Sequence, residues 1–247
     1  MDWIDKDGFL TTGKVIRKDS YNGHSFKFSY GEMTKVNGIV VHQTADTETA
    51  EHTLNGYTSS KTGAQFLIDK DGTIYQTASL YVISRHVGHI RARCLREMTC
   101  PQVELDAGLK VWNERSWVNK GAAKSHENEK NKEFPDRFPK NEDSIGIECV
   151  GKAWKYDKQG KKLKDQKQSV PDKQIIFDPL TDKQVESLDW LLRHLSEKFE
   201  VPFSEIYRHP EIAFKIALEA KSAEKPIDNI KNQEVEAEAA EQTEIAQ

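Results

Sequence analysis

The stretch Gly38-Ile-Val-Val-His-Gln-Thr44 decides the fold of this chain. Its three consecutive β-branched residues favour a short, buried strand, and Asn37 and Gly38 ahead of it are typical of a turn. His42 follows the apolar run directly, so the strand delivers an imidazole to the edge of a hydrophobic core. We therefore expect the rest of the domain to be arranged around this strand.

Two further polar side chains occupy similar settings. His209 lies in Ile206-Tyr-Arg-His-Pro210, after a predicted short strand, and Glu148 lies within the apolar strand Ile145-Gly-Ile-Glu-Cys-Val150. Catalytic zinc typically has three protein ligands and an open position, and imidazole is a common ligand. Two histidines and a strand-borne carboxylate therefore indicate a catalytic metal site. Taken alone, each histidine is more often an ordinary hydrogen-bonded residue.

The composition limits the class of protein. The 247 residues suffice for one large domain, and 36% hydrophobic against 31% charged residues indicate a core with polar additions. A net charge of −4 gives no basic footprint for nucleic acid, so we expect no nucleic-acid partner. No segment approaches the roughly 20 apolar residues that span a bilayer. The N-terminus lacks the apolar segment of a Sec signal peptide, so we expect synthesis in the cytoplasm.

The order of predicted elements indicates an α/β fold with a mixed central β-sheet flanked by α-helices. Lys70-Asp-Gly72 predicts a tight hairpin between two strands, and Thr181 with Gln184 predicts a capping box at the start of a helix. The predicted strands are residues 39–43, 65–69, 73–76, 82–89 in part, 144–150 and 205–208, and the predicted helices are residues 44–60, 181–199 and 212–223.

The chain divides into three parts. Residues 1–35 form an N-terminal extension, residues 36–223 form the domain, and the acidic residues 224–247 form a mobile or loosely helical tail. Two polar insertions interrupt the domain at about residues 91–143 and 155–175. The first carries Trp112, Trp117, Phe134 and Phe138, which either grip a glycan or anchor a solvated insertion.

The cysteines and the remaining histidines allow simpler expectations. Free thiols are the default for a cytosolic chain, but Cys94 and Cys100 are close enough to bridge a loop in an oxidising compartment. Cys149 alternates with Glu148 along its strand, so we expect it in the core. Four histidines are expected at the surface: His24, His52, His126 and His194.

Six segments in this order resemble the type 2 N-acetylmuramoyl-L-alanine amidases, which share a fold with peptidoglycan-recognition proteins. The resemblance covers about residues 36–223 outside the two insertions. The segments are Val40-Val-His-Gln-Thr44, Gln65-Phe-Leu-Ile-Asp-Lys-Asp-Gly-Thr-Ile-Tyr-Gln76, Arg85-His-Val-Gly88, Ser144-Ile-Gly-Ile-Glu-Cys-Val-Gly151, Leu180-Thr-Asp-Lys-Gln184 and Arg208-His-Pro210.

The resemblance implies roles for individual residues. His42 and His209 match the first two ligands of a Zn²⁺ ion, Glu148 matches the catalytic carboxylate, and His86 matches a histidine near the substrate. The implied reaction is attack of a zinc-activated water on the lactyl carbonyl of N-acetylmuramic acid, at its bond to L-alanine, with Glu148 moving the proton.

The chain departs from the family pattern in two places. The usual Lys-x-Asp-Pro-Gly segment after the second histidine is absent, so Glu219 is our choice for the third ligand, and Lys215 for oxyanion stabilisation. The alternative for Glu219 is a surface residue on a helix. Ala64-Gln65 stands where many members have a tyrosine, which leaves more of the proton transfer to Glu148. We assign Gln65 to substrate contact.

Several readings of the biological role remain open. The chain is either a zinc amidase or a module of the same fold that binds muropeptide without cutting it. As an enzyme it is a cytoplasmic recycling amidase, a phage lysin, or an antibacterial effector delivered to a rival's periplasm, for example by a type VI secretion system. An effector implies a partner immunity protein.

Overall fold

The structure is a computed structural model that describes residues 3–45, 48–111 and 120–245. Trp112 and Trp117 lie outside the described residues. The strands are β1 Val15–Arg17, β2 Ser20–Tyr21, β3 His24–Ser25, β4 Ser29–Glu32, β5 Gly38–Ala45, β6 Phe66–Ile68, β7 Ile74–Gln76, β8 Val82–Ser84, β9 Ser144–Lys155, β10 Ile175–Phe177 and β11 Ile206–Arg208. The α-helices are α1 Ala50–Tyr57, α2 Arg93–Glu97, α3 Gln102–Val111, α4 Lys120–Glu129, α5 Asp182–Phe199, α6 His209–Ile212 and α7 Glu224–Ile245.

A mixed seven-stranded sheet forms the centre, as the sequence predicts. Its order is β1-β7-β6-β9-β5-β11, and β10 pairs with the far end of β9. The strands β6, β9, β5 and β11 are parallel to one another, whereas β7 runs antiparallel to β6. Parallel strands bring their carboxyl ends to one edge of the sheet, where α/β proteins usually place their sites.

The register of the parallel strands brings the predicted site residues together. His42 on β5 is the pairing partner of Glu148 on β9. Val41 pairs with Arg208 at the end of β11, so His209 emerges beside His42. Three segments that are far apart in sequence therefore present their polar side chains at one edge.

The core lies on one face of the sheet, against α5 and α7. Alternation along β5 sends Ile39 and Val41 into this core and turns His42 to the opposite face. The Thr181 hydroxyl accepts from the Gln184 amide and the Gln184 side chain accepts in return, which confirms the predicted capping box. The fully buried members from α5 and the central strands include Leu188, Leu191, Leu192, Leu195, Phe66, Ile145 and Ile147, and each contributes about 1.5–3 kcal/mol by burial.

Three predicted elements differ from the structure. β5 continues to Ala45, and α1 starts only at Ala50 with Thr49 as its N-cap, so the predicted helix 44–60 is too long. Residues 213–220 are not helical, because Ala213 bridges to Ile90 and the Phe214 amide donates to the His89 carbonyl. These long-range partners replace the bonds that a helix from 212 to 223 would need.

The predicted tail also differs. Ile227 and Ile230 of α7 are buried in the main core, so its first two turns are packed and not mobile. Among the described helices, none is long and apolar enough to cross a membrane.

The first insertion folds onto the domain. Cys94 and Cys100 form a disulfide between α2 and the turn before α3, and Cys149 is a buried thiol as predicted. Arg93 forms a 2.7 Å ion pair with Glu205, ahead of β11. Phe138 is fully buried against Tyr207, so it anchors the insertion and does not face a glycan.

The buried carboxylate of Asp143 closes the insertion at the start of β9. It accepts from Arg137 at 2.6 Å, from Asn37 at 2.8 Å and from the Lys140 amide at 2.7 Å. Arg137 and Asp143 are each 6% exposed, so the pair is shielded from water. Removing one partner of such a pair leaves a buried charge without compensation.

We expect Asp143→Ala to lower the free energy of unfolding by about 3–5 kcal/mol. The control is Asp136→Ala, which removes an exposed carboxylate from the same segment and should change stability by less than about 0.5 kcal/mol. Urea denaturation of both variants measures the difference. Equal midpoints for the two would show that the buried pair does not stabilise the domain.

Candidate metal centre and active site

A cleft of about 770 Å³ opens at the carboxyl edge of the parallel strands. Its walls come from the end of β5, from α1, from residues 85–89, from β9 and from the segment after α6. Of the residues singled out from the sequence, the cleft is lined by His42, His86, Glu148, His209, Lys215 and Glu219.

Three ligand atoms converge at the floor of this cleft. The Nδ1 atoms of His42 and His209 lie 2.8 Å apart. Glu219 Oε1 lies 2.9 Å from the Nδ1 of His209 and 3.7 Å from that of His42. The structure therefore groups the three residues chosen as ligands, and it places Glu219 in a buried, irregular segment and not on a helix surface.

The hydrogen bonds of His209 fix its tautomer. Its Nε2 lies 2.7 Å from the Val87 carbonyl oxygen, which can only accept. Nε2 therefore carries a hydrogen, and in the neutral form of the ring Nδ1 presents a lone pair.

A relay of two imidazoles fixes His42 in the same way. The Nε2 of His86 lies 3.2 Å from the Ser144 carbonyl oxygen, so it donates and leaves the Nδ1 of His86 as an acceptor. That Nδ1 lies 3.0 Å from the Nε2 of His42, which must then donate. The Nδ1 of His42 consequently presents a lone pair as well.

These groups form a site for a cation. With both rings in these neutral tautomers, two lone pairs and a carboxylate oxygen face one another, and a positive charge at their centre would relieve the repulsion. Burial, and then the charge of His209, lower the pKa of His42 to about 3, so its ring stays neutral near pH 7. Burial alone would raise the pKa of Glu219, but His209 and His42 outweigh it and lower that pKa. The donor set fits a divalent metal ion that accepts imidazole and carboxylate ligands.

Gly146 on β9 leaves room for this relay. A Cβ atom there would lie 2.7 Å from the Cγ and 2.8 Å from the Nδ1 of His86, and 3.0 Å from the Cβ of Ala64. The ring of His86 therefore packs against the backbone of β9 at Gly146, and its Nδ1 contacts the Nε2 of His42. His86 lines the cleft, but its two ring nitrogens contact the Ser144 carbonyl and His42, so it orients the His42 ring.

Glu148 has a partner that the sequence did not indicate. The hydroxyl of Tyr57 donates to its Oε2 at 2.9 Å. Burial and then Glu148 raise the pKa of Tyr57 well above its ordinary value, so the phenol keeps its proton. Phe26 and Phe28 contact the Tyr57 ring edge-on and hold it in place. The spacing of Ala50, Leu54 and Tyr57 marks an inward helix face, but the sequence does not reveal what the hydroxyl meets.

The substrate assignment of Gln65 is wrong. Its side chain is fully buried, its Oε1 accepts from the Gly146 amide at 2.8 Å, and its Nε2 donates to the Val82 carbonyl at 3.4 Å. Both ends of the amide thus support the backbone behind the cleft.

The first insertion supplies part of the cleft wall. His126 is half-buried and stacks on His89 with ring centroids 5.0 Å apart, so it is not the surface residue that we expected. Asn141 Oδ1 accepts from the backbone amides of His86 and Val87 at 2.9 and 2.8 Å. The insertion therefore holds the segment that orients His42 and His209.

Comparisons with known proteins place this geometry in a family. A family model described as N-acetylmuramoyl-L-alanine amidase matches residues 32–226. No curated protein matches the chain.

Three similar solved structures come from amidases and endolysins. The amidase LysC from Clostridium intestinale is 18% identical with a TM-score of 0.41, covering 81% of this chain and 85% of that one. A mutant endolysin from Bacillus subtilis is 16% identical with a TM-score of 0.46, covering 88% and 96%. A selenomethionine derivative of AmpD is 16% identical with a TM-score of 0.44, covering 85% and 87%. Because the family model spans most of the chain, this protein belongs to the N-acetylmuramoyl-L-alanine amidase family and is an enzyme acting on peptidoglycan.

Proposed function

We propose that this amidase depends on zinc, held by His42, His209 and Glu219, and that it cuts the bond between N-acetylmuramic acid and L-alanine. The observation that carries the proposal is the convergence of two imidazole lone pairs and a buried carboxylate within 3.7 Å. Zinc bound there supplies Lewis acidity, which acidifies water and polarises a carbonyl. The family match supports the choice of bond.

Glu148 is suited to the proton transfers. It is half-buried, lines the same cleft as the three proposed ligands and pairs in register with His42. A carboxylate there takes the proton of the attacking water and returns it to the leaving amine. Tyr57 holds one carboxylate oxygen in place while this happens.

Lys215 is suited to stabilising the oxyanion. It lines the cleft in the irregular segment between α6 and Glu219. In the described part of the chain, no carboxylate lies within 4.0 Å of its ammonium group. An ammonium that is not already paired with a carboxylate is available to stabilise the negative charge of the tetrahedral state. His86 contributes indirectly, by fixing the tautomer of His42.

We also propose that the enzyme works in an oxidising compartment, as an antibacterial effector that is delivered to the periplasm of a target bacterium, for example by a type VI secretion system. The disulfide between Cys94 and Cys100 supports this location, because disulfides persist in the periplasm and are rare in the cytosol. A cognate immunity protein in the producer is the partner that this role requires.

The third ligand is tested with Glu219→Ala. Loss of a direct ligand should weaken zinc binding by more than the about 10–100-fold that an outer-shell change costs, with loss of activity. Competition with a chromogenic chelator measures the affinity. Glu224→Ala, which removes a half-buried carboxylate at the start of α7, should leave zinc binding unchanged. Full zinc affinity in Glu219→Ala would exclude it as a ligand.

The general base is tested with Glu148→Gln. We expect kcat on a purified muropeptide to fall by about 10²–10⁴, because the amide cannot take a proton. Zinc content should stay at the wild-type level. Substantial remaining turnover would remove Glu148 from the mechanism.

The hydrogen bond of Tyr57 is tested with Tyr57→Phe. The phenol holds the carboxylate of Glu148 in place, so its loss should lower kcat/KM on a muropeptide without changing the zinc content. A hydrogen bond to a charged group is worth about 1.5–3 kcal/mol, which corresponds to a fall of about 10–100-fold. Tyr75→Phe, a half-buried tyrosine on β7, is the control. A wild-type kcat/KM in Tyr57→Phe would show that Tyr57 serves packing alone.

The location is tested by directing the enzyme to either side of the inner membrane of a Gram-negative host. We expect the form exported to the periplasm to lyse the cells, and the cytoplasmic form and the exported Glu148→Gln variant to be harmless. Turbidity over time gives the result. Survival of cells with well-expressed, exported wild-type enzyme would contradict the effector role.

A further inference from the structure

The second insertion is strongly basic in a chain that is acidic overall. Residues 155–175 contain seven lysines and three aspartates, a net of +4, against −4 for the whole chain, so the remainder sums to −8. Six of these lysines are exposed, and we call them the lysine platform: Lys158, Lys161, Lys162, Lys164, Lys167 and Lys173.

The charges of the lysine platform are not balanced within the protein. Among the described residues, no carboxylate lies within 4.0 Å of any of its six ammonium groups. Neighbouring lysines behave differently, since Lys152 pairs with Glu48 at 3.1 Å and Lys70 pairs with Asp178 at 3.3 Å. Six like charges on the second insertion repel one another, and an external anion would relieve that repulsion.

The platform is fixed to the catalytic domain. Trp154 donates to Asp178 at 2.7 Å, and Lys162 lies 3.0 Å from the centre of the Trp154 ring. Val170, near the end of the second insertion, packs in a cluster with Leu218. Leu218 directly precedes Glu219, the proposed third ligand. The platform thus keeps a constant position relative to the metal centre.

The platform flanks the cleft. Leu163, which lies between Lys162 and Lys164, packs in one cluster with Ala45 and Leu218, and Ala45 lines the cleft. A single soluble muropeptide bound in the cleft carries few carboxylates that could meet six lysines. A polymer whose repeats each carry carboxylates reaches both places at once, and each weak contact then adds to the others.

We propose that the lysine platform binds the stem-peptide carboxylates of polymeric peptidoglycan, so that the substrate of this enzyme is the insoluble wall and not a released fragment. The inference rests on the proposed function for the identity of the bond that is cut, but it concerns a surface outside the cleft.

The test replaces four platform lysines by glutamine: Lys158, Lys161, Lys164 and Lys167. Lys162 stays because it packs on Trp154. The control replaces four exposed lysines outside the platform: Lys6, Lys27, Lys35 and Lys225. Both sets are made in the wild type and in the Glu148→Gln background. Thermal unfolding checks that each variant is folded.

Binding is measured by co-sedimentation of the Glu148→Gln proteins with purified sacculi, and activity by kcat/KM on sacculi and on a soluble muropeptide. We expect the platform variant to bind sacculi about tenfold more weakly than its parent at low salt, and its binding to depend less on salt concentration. Its kcat/KM should fall on sacculi and stay unchanged on the soluble muropeptide. The control variant should match its parent in every assay.

Three outcomes would overturn the inference. The first is equal sacculus binding by platform variant and parent. The second is a difference that vanishes once sacculi are stripped of attached phosphate polymers, which would make those phosphates the partner. The third is that the platform variant loses binding to duplex DNA but still binds sacculi as its parent does. Failure of the zinc mechanism is distinguishable, because it would abolish wild-type cleavage of the soluble muropeptide and leave sacculus binding intact.

Discussion

The site depends on two buried imidazole nitrogens that are held facing each other, the Nδ1 atoms of His42 and His209. Two backbone carbonyls enforce this arrangement, that of Val87 directly on His209 and that of Ser144 through His86 onto His42. Carbonyls cannot donate, so neither imidazole can turn its hydrogen toward the centre without losing a buried hydrogen bond. The surrounding structure, including the first insertion that holds residues 86 and 87, keeps both rings in this state.

Local pattern was enough to predict the scaffold of the site. The apolar runs ending at His42 and around Glu148 could only be buried strands, and parallel pairing then brought their polar residues to one edge. The hairpin at Gly72 and the capped helix at Thr181 follow from turn and capping chemistry within a few residues. Each of these elements is determined by residues within a few positions of one another, so the sequence alone predicts it.

Partners from distant segments could not be predicted. Tyr57 meets Glu148, 91 residues further on, and Gln65 meets the amide of Gly146, 81 residues further on. The segment before Glu219 has helix-forming residues, yet its backbone bonds to residues 89 and 90. In each case a long-range hydrogen bond outweighs local propensity, and no short window of sequence contains both partners.

Gly146 shows that a missing atom can be a functional element. A glycine inside a strand normally weakens the sheet, because it adds no side chain to the packing. Here the empty volume above its Cα is occupied by the ring of His86. One methyl group at this position would push that ring away, and His42 would lose the acceptor that sets its hydrogen. The orientation of His42 is thus controlled from a strand position that has no side chain at all.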